Sequence, residues 1–138
     1  MKIALDTNVL ISALIKEGKP RDLLSEILLN HELITSKEIL EEVATIANEP
    51  RIRKYVDQED IADFLRDLAS SASIVKINSK FKAVKEDPDD DTILRTAIDG
   101  RARLVVSGHT HLFDMKRFRG IRIVSVGEML QILKAHSF

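Results

Sequence analysis

Short apolar runs alternate along the chain with longer segments whose apolar residues recur at spacings of three and four. The short runs predict strands at positions 2–5, 31–35, 74–77, 104–106 and 121–124. The longer segments predict helices that begin at Thr7 and that cover about 20–30, 37–49, 52–73, 90–99 and 126–135, with a short helical turn from Thr110. We expect Ser36 to cap one of these helices and Gly100 to be the C′ residue of another. This β-α-β alternation predicts one α/β domain over residues 1–138, a three-layer α/β/α sandwich around a parallel sheet of about five strands.

Composition narrows the class of protein. A chain of 138 residues can bury one core, and 21 Lys and Arg nearly balance 22 Asp and Glu, which excludes a generally basic nucleic-acid coat but not a local basic patch. The absence of cysteine excludes disulfides and zinc–thiolate sites. No apolar run approaches the roughly 18 residues of a membrane span, and the N-terminus lacks the pattern of a signal peptide, so we expect a cytoplasmic protein.

The first candidate for chemistry is Asp6, which directly follows the first predicted strand. Ligands of parallel α/β sheets bind beyond the carboxyl ends of the strands. The triplet Asp6, Thr7 and Asn8 places a carboxylate, a hydroxyl and an amide at such an end, and these oxygens suit a hydrated Mg²⁺ or Mn²⁺. The alternative is structural, because Asp6 or Thr7 could simply cap the following helix.

The second candidate is Glu42. On a helical wheel it lies between Ile39 and Ile46 at the edge of an apolar stripe, whereas Glu41 lies on the polar side and is expected to be a surface charge. A carboxylate at the border of a buried stripe is costly unless it is paired or bound to a metal. Glu42 is therefore the better metal candidate of the two, and a salt-bridged boundary residue is the alternative.

The third candidate lies in the acidic run of Asp87, Asp89, Asp90 and Asp91, which opens a predicted helix. Acids at a helix N-terminus gain about 0.3–1 kcal/mol each from the macrodipole, so one acid would need no further explanation. Four acids in five residues repel one another, and a cation would offset that repulsion. We favour Asp91 as the metal ligand, with Asp90 beside it.

Histidines and clustered basic residues are weaker signals. His109 and His111 follow the fourth predicted strand and could bind a transition metal, act as acid and base, or be polar loop residues. Two basic clusters could hold a phosphate backbone or could be solvated surface; they are Lys76, Lys80, Lys82 and Lys85, and Lys116, Arg117, Arg119 and Arg122. With one Tyr and no Trp, base stacking is not expected to be prominent. Acids from three distant segments at one sheet edge predict a metal-dependent hydrolase of phosphodiesters.

Four segments carry a resemblance to a known family. Residues 1–12 (MKIALDTNVLIS), 35–43 (TSKEILEEV), 87–94 (DPDDDTIL) and 104–108 (LVVSG) resemble PIN-domain proteins, most of all the small stand-alone prokaryotic ones, many of which are toxins of toxin–antitoxin pairs. The resemblance implies an α/β/α sandwich and Mg²⁺- or Mn²⁺-dependent ribonuclease activity. It implies an acidic cluster of Asp6, Glu42 and Asp91, with Ser107 at the hydroxyl position of the turn after the fourth strand. The residue pattern adds Thr7, Asn8, Asp90 and His109 as supporting candidates. The implied partners are RNA, an antitoxin protein and further copies of the chain in a homodimer or higher homo-oligomer.

One position departs from the family pattern. PIN domains usually place a further Asp just after the fourth strand, where this chain has His109. A neutral imidazole removes one negative charge and replaces a hard oxygen with a nitrogen, which should weaken Mg²⁺ binding, favour Mn²⁺ or lower activity. The alternative function is therefore a catalytically weakened PIN-like scaffold that binds RNA or a protein partner. A phospho-receiver domain also combines acids on a parallel sheet, but there the acids come in a different order.

Overall fold

The computed structural model describes residues 1–82 and 88–136, with side chains throughout except at positions 88–90, 110, 111 and 113. Its strands are β1 (Lys2–Leu5), β2 (Glu32–Ser36), β3 (Ser73–Val75), β4 (Leu104–Val106), β5 (Arg117–Phe118) and β6 (Ile121–Val124). They form one sheet in the order β3-β2-β1-β4-β6-β5, in which only β5 runs antiparallel to its neighbour. The predicted α/β architecture with a mostly parallel central sheet is confirmed.

Helices connect the strands of this sheet. They are α1 (Thr7–Ile15), α2 (Lys19–Asn30), α3 (Lys37–Ala47), α4 (Pro50–Arg53), α5 (Gln58–Ser71), α6 (Pro88–Asp99), α7 (Thr110–Met115) and α8 (Val126–Ala135). Helices α2 and α3 pack on β2, whereas α6 packs on β1, β2 and β4. None of these helices is long and apolar enough to cross a membrane.

The strand order creates a switch point between β1 and β4. From β1 the chain moves outward to β2 and β3, and from β4 it moves to β6 on the other side. Because parallel crossovers are right-handed, connections that run in opposite directions place their helices on opposite faces of the sheet. The crevice at such a point, outside the carboxyl ends of the two strands, is where open α/β sheets bind ligands. Asp6 follows β1 and Ser107 follows β4 at this crevice.

The central strands are apolar because both of their faces are covered. In β1, the side chains from Ile3 to Leu5 are at most 1% exposed, and all three residues of β4 are buried. Continuous apolar runs of this kind are expected where helices cover both faces of a parallel sheet. The core therefore holds rigidly the two strand ends that meet at the switch point.

The region predicted as one mostly helical stretch over about 52–73 contains two helices. Asp57 ends the turn after α4 and caps α5, because its Oδ1 accepts a hydrogen bond from the Asp60 backbone N–H over 2.8 Å. The Asp60 carboxylate in turn accepts one from the Asp57 N–H over 3.2 Å. This reciprocal capping box fixes the start of α5 at Gln58 and breaks the longer helix.

The end of α6 corrects a further prediction. The N–H of Ala102 donates to the carbonyl of Ala97 over 2.9 Å, and the N–H of Arg101 donates to that of Ile98 over 3.2 Å. This is a Schellman motif whose C′ residue is Arg101, with a φ of 58°, and not Gly100. Gly100 is needed for another reason, since a Cβ there would collide with the side chain of Ile34.

Candidate functional site

Asp6 has two roles at the end of β1. It is 7% exposed and is the N-cap of α1, where its Oδ1 accepts a hydrogen bond from the Thr7 N–H over 2.7 Å. Its Oδ2 accepts a hydrogen bond from the Ser107 hydroxyl over 2.8 Å. Its backbone N–H donates to the carbonyl of Val106 over 3.0 Å. Helix capping therefore accounts for one carboxylate oxygen, while the second one joins Asp6 to the end of β4.

Ser107 links Asp6 to the turn that follows β4. Its side chain is fully buried, and its Oγ accepts a hydrogen bond from the His109 backbone N–H over 3.0 Å. A hydroxyl has one proton, and here that proton points to the Asp6 carboxylate. Such O–H···O⁻ bonds are stronger than neutral ones. Ser107 therefore fixes the direction of the carboxylate and the position of His109.

Asp91 lies in the first turn of the described part of α6. It is 4% exposed, and it belongs to α6, which packs on β1, β2 and β4 in the middle of the sheet. The next residue, Thr92, uses its carbonyl to accept a hydrogen bond from the Thr96 hydroxyl over 2.8 Å. This bond ties the first turn of α6 to the second.

A buried pair of hydroxyls connects α6 with α3. Ser36 and Thr96 are fully buried, and their oxygens are 2.9 Å apart. Because the Thr96 proton is donated to Thr92, Ser36 must donate to Thr96; the Ser36 oxygen itself accepts from the Ile39 N–H over 3.4 Å as the N-cap of α3. One directed chain of hydrogen bonds thus joins the start of α3 to the first turns of α6.

Glu42 lies on α3 and is half-buried beside the buried residues Ile39 and Val43. Its neighbour Glu41 is exposed and pairs with Lys37 at 3.6 Å, which confirms the prediction that Glu41 is a surface charge. The Ser36–Thr96 pair therefore couples the helix that carries Glu42 to the helix that carries Asp91.

The other predicted site residues are placed as follows. Thr7 is buried and Asn8 is exposed on α1, while His109 is half-buried. Asp87 lies outside the described residues. Position 90 belongs to α6, but the side chains of Asp89, Asp90 and His111 are outside the description.

The donor chemistry suits a hard divalent cation. Two buried carboxylates, Asp6 and Asp91, belong to elements that meet at the switch point, and carboxylate oxygens are the ligands that Mg²⁺ and Mn²⁺ prefer. Among the described side chains, no three of Asp, Glu or His are grouped closely enough to form a metal site by themselves. The structure joins Asp6, Ser107 and His109 directly, and the gathering of Asp6, Glu42 and Asp91 about one metal stays a prediction.

The sequence did not predict the role of Thr96. This residue falls three positions after Ile93, within the apolar stripe of α6, where a hydroxyl needs a partner. A polar residue in an apolar stripe, together with the predicted cap Ser36, was the available signal. Its partner could not be identified, because register between distant elements is not encoded locally.

Comparison with known proteins assigns the family. The family model described as the PIN domain matches residues 2–111. The chain is 32% identical over 122 residues to uncharacterized protein MJ1680 of Methanocaldococcus jannaschii, and the alignment covers 84% of this chain and 76% of that protein.

A solved structure supports the same fold. One chain of a crystal structure of VapBC2 from Rickettsia felis superposes on this chain with a TM-score of 0.63. In that crystal structure VapBC2 is bound to a DNA fragment from its promoter. The superposition covers 91% of this chain and 98% of that chain at 16% identity, so it bears on the fold alone. The PIN model covers most of the chain, and the protein therefore belongs to the PIN-domain family, whose members are generally nucleases.

Proposed function

We propose that the protein is a divalent-metal-dependent ribonuclease whose acidic centre consists of Asp6, Glu42 and Asp91. The observation that carries this proposal is the buried Asp6 carboxylate at the switch point, oriented by the Ser107 hydroxyl at 2.8 Å. Membership of the PIN family supports nuclease chemistry. A buried carboxylate held at this place is what a phosphodiesterase needs to bind a cation.

Asp6 and Asp91 would hold Mg²⁺ or Mn²⁺, with Glu42 as a further ligand or as a partner of a bound water. The cation would supply Lewis-acid stabilisation of the phosphodiester and would lower the pKa of the attacking water. Ser107 keeps the Asp6 carboxylate in one orientation by donating its only proton to Oδ2. Half-buried Glu42 lies at the border between core and solvent, where its carboxylate would serve either as that further ligand or as the group that orients the attacking water.

The proposed biological setting is a toxin–antitoxin pair. The protein would cut RNA as the toxin, and an antitoxin protein and a second copy of the chain would be its protein partners. The fold shared with a chain of VapBC2 supports this setting.

A second candidate is a PIN-like scaffold that binds RNA or a protein but turns over slowly. The observation that favours it is His109, which stands where the resemblance places a fourth acid and whose backbone N–H is bound to Ser107. Replacing that acid removes a negative charge close to Asp6, so a cation would be held less strongly.

The test is cleavage of single-stranded RNA by purified protein with Mn²⁺ or Mg²⁺. We expect Asp6→Asn to abolish cleavage and Ser107→Ala to lower it about 10–100-fold, the usual effect of losing a residue that orients a metal ligand. Asp22→Asn, an exposed acid in the first turn of α2, is the matched control and should leave the rate unchanged. Equal cleavage by the wild type and Asp6→Asn would reject the proposed centre.

His109→Asp separates the two candidates. If the wild type barely cuts RNA and His109→Asp cuts it much faster, the scaffold is favoured. If the wild type is active and His109→Asp cuts RNA no faster, the scaffold is excluded. Calorimetric titration with Mg²⁺ gives a readout that does not depend on turnover, and we expect tighter binding by His109→Asp than by the wild type, because the added carboxylate supplies a hard oxygen and a negative charge.

A further inference from the structure

A cluster of aromatic and basic side chains lies outside the acidic centre. The rings of Phe81 and Phe118 have centroids 5.1 Å apart and an interplanar angle of 40°. Each phenylalanine stands between two exposed basic residues, which are Lys80 and Lys82 in one segment and Arg117 and Arg119 in the other. The fold thus joins two basic–Phe–basic tripeptides, residues 80–82 and 117–119, which we call the basic aromatic patch.

Arg119 covers the two rings of the patch. Its Cζ is 4.7 Å from the Phe81 centroid and 5.1 Å from the Phe118 centroid, within the range of cation–π contacts. The residue is nevertheless exposed, so Arg119 is accessible from solvent while it contacts the rings. Flat guanidinium and aromatic surfaces are what unpaired RNA bases stack on. The patch therefore presents a stacking surface surrounded by positive charge.

The turn that contains Arg119 does not explain why this position is an arginine. Arg119 and Gly120 connect β5 to β6 and have φ values of 47° and 82°. Positive φ at both central residues is the requirement of a type I′ turn, which strongly favours Asn-Gly. Arginine is a poorer choice for the first position, and the guanidinium that it places over the two phenylalanines is what it adds.

The patch is attached to the helix of the acidic centre. Arg95, on α6, donates two hydrogen bonds to the carbonyl of Phe81, and the one from its Nε is 2.9 Å long. Arg95 follows Asp91 by four residues, which is about 6 Å along a helix axis. A strand of RNA held at the patch would thus lie beside the helix that carries a proposed metal ligand.

Within the described residues, no acidic side chain is paired with the basic side chains of the patch. These basic side chains are Lys80, Lys82, Arg117 and Arg119. The whole chain has a formal net charge of −1, so this is a local concentration of positive charge. Unpaired Lys and Arg side chains bind phosphates without reading sequence.

We infer that the basic aromatic patch holds the single-stranded RNA substrate, with phosphates against its lysines and Arg117 and one unpaired base stacked on Arg119. The inference rests on the proposed ribonuclease function for the identity of the strand. It adds to that function a holding site outside the acidic centre.

The test is the binding of a fluorescein-labelled oligouridylate, followed by fluorescence anisotropy in EDTA so that no cleavage occurs. We expect Arg119→Asn to weaken binding about tenfold, as for the loss of one stacked base. The melting temperature of Arg119→Asn should stay close to that of the wild type, since the better fit of asparagine to the turn offsets the two lost cation–π contacts. Arg53→Asn, an exposed residue at the end of α4, makes the same substitution elsewhere and should leave affinity unchanged.

Salt dependence gives an independent measure. For single strands, the logarithm of affinity falls by about 0.7 per phosphate contact with the logarithm of salt concentration. The double variant Lys80→Gln and Lys82→Gln should therefore have a slope shallower by about 1.4 if both lysines contact phosphates. An unchanged slope would overturn the phosphate part of the inference.

Three results would overturn the remainder. Wild-type affinity in Arg119→Asn would exclude the patch. If Arg119→Asn loses as much affinity for duplex RNA as for the single strand, a stacked base is excluded, because a duplex offers no unpaired base. Displacement of the oligouridylate by polyglutamate as readily as by unlabelled RNA would assign the patch to an acidic protein instead.

The outcomes for the patch and for the nuclease can be told apart. Asp6→Asn should bind the oligouridylate as the wild type does, while failing to cut RNA when Mn²⁺ is supplied. Patch-dependent binding without cleavage by the wild type would reject the nuclease and retain the patch as an RNA site. If Arg119→Asn still cuts RNA and binds the oligouridylate as the wild type does, the patch is rejected and the nuclease is retained.

Discussion

Thr96→Val tests the buried hydroxyl pair that couples α6 to α3. Valine has nearly the same shape as threonine, so the change removes a hydroxyl and leaves packing largely intact. In the wild type, Ser36 donates to Thr96, which donates to the carbonyl of Thr92. The variant leaves the Ser36 proton buried without its acceptor, because Ser36 and Thr96 are both fully buried.

The expected loss follows from that unsatisfied donor. A buried polar group deprived of its partner costs about 1–3 kcal/mol. At about 2.1 cal/mol/K per residue, a chain of 138 residues has an unfolding entropy of roughly 0.3 kcal/mol/K. The melting temperature should therefore fall by about 3–10 °C, which can be measured by calorimetry and by urea unfolding monitored with circular dichroism.

The chain offers a matched control in Thr45. This residue is exposed on α3, and its hydroxyl also donates to a carbonyl four residues earlier, that of Glu41, over 3.0 Å. Thr45→Val should change the unfolding free energy by no more than about 0.5 kcal/mol. Similar losses in Thr45→Val and Thr96→Val would refute the reasoning, since burial is the difference between the two sites.

A double-mutant cycle adds a second criterion. Combining Ser36→Ala with Thr96→Val removes both hydroxyls, so the double variant should lose less than the sum of the two single losses. We expect a coupling of about 0.5–3 kcal/mol, as for residues in direct contact. Additive losses would mean that the two hydroxyls do not interact.

Two further predictions concern the end of α6. Burial raises the pKa of Asp99, but hydrogen bonds from the Ser79 hydroxyl and from backbone N–H groups outweigh this and hold the pKa below its ordinary value. Because the pKa of Asp99 is lowered in the folded state, the wild type should be more stable than Asp99→Asn by its full margin at neutral pH, and this margin should shrink as pH falls below about 4. A difference in unfolding free energy, measured with urea, that stays constant across that range would contradict this prediction. At the neighbouring turn, Gly100→Ala should lower the unfolding free energy by about 1–3 kcal/mol, because the added Cβ collides with Ile34. Arg101→Gly should leave stability unchanged or raise it, because glycine adopts positive φ freely. A thermal melt in which Arg101→Gly is the less stable of the two variants would reject the Schellman assignment.

The sequence predicted most elements of the fold because their signals are local. The last helix begins and ends as expected at Val126 and Ala135, and Ser36 caps α3 as its position suggested. The C′ position of α6 was wrong by one residue, because Gly100 is required for a close tertiary approach that no local pattern reveals. The strand β5 was missed, since two residues are too few to show a period.

The candidate site was predictable only as far as strand ends could be placed side by side. Asp6 and Ser107 both follow apolar strands, and a parallel sheet with the observed order makes these ends neighbours. Their hydrogen bond depends on that order, which alternation alone does not specify. The contact of Phe81 with Phe118 was beyond prediction, because one lies in an irregular segment and the other in the missed strand.

Interior placement of the Asp6–Ser107 pair has a consequence for how the contact between these two side chains is lost. The Asp6 N–H is bound to Val106 and the Ser107 N–H to Val124, so both amides are locked between inner strands and not at a fraying margin. Deuterium should enter these two positions only when the whole domain opens. Heat would then separate Asp6 from Ser107 only through complete denaturation of the domain, and not through local fraying of the two strand ends.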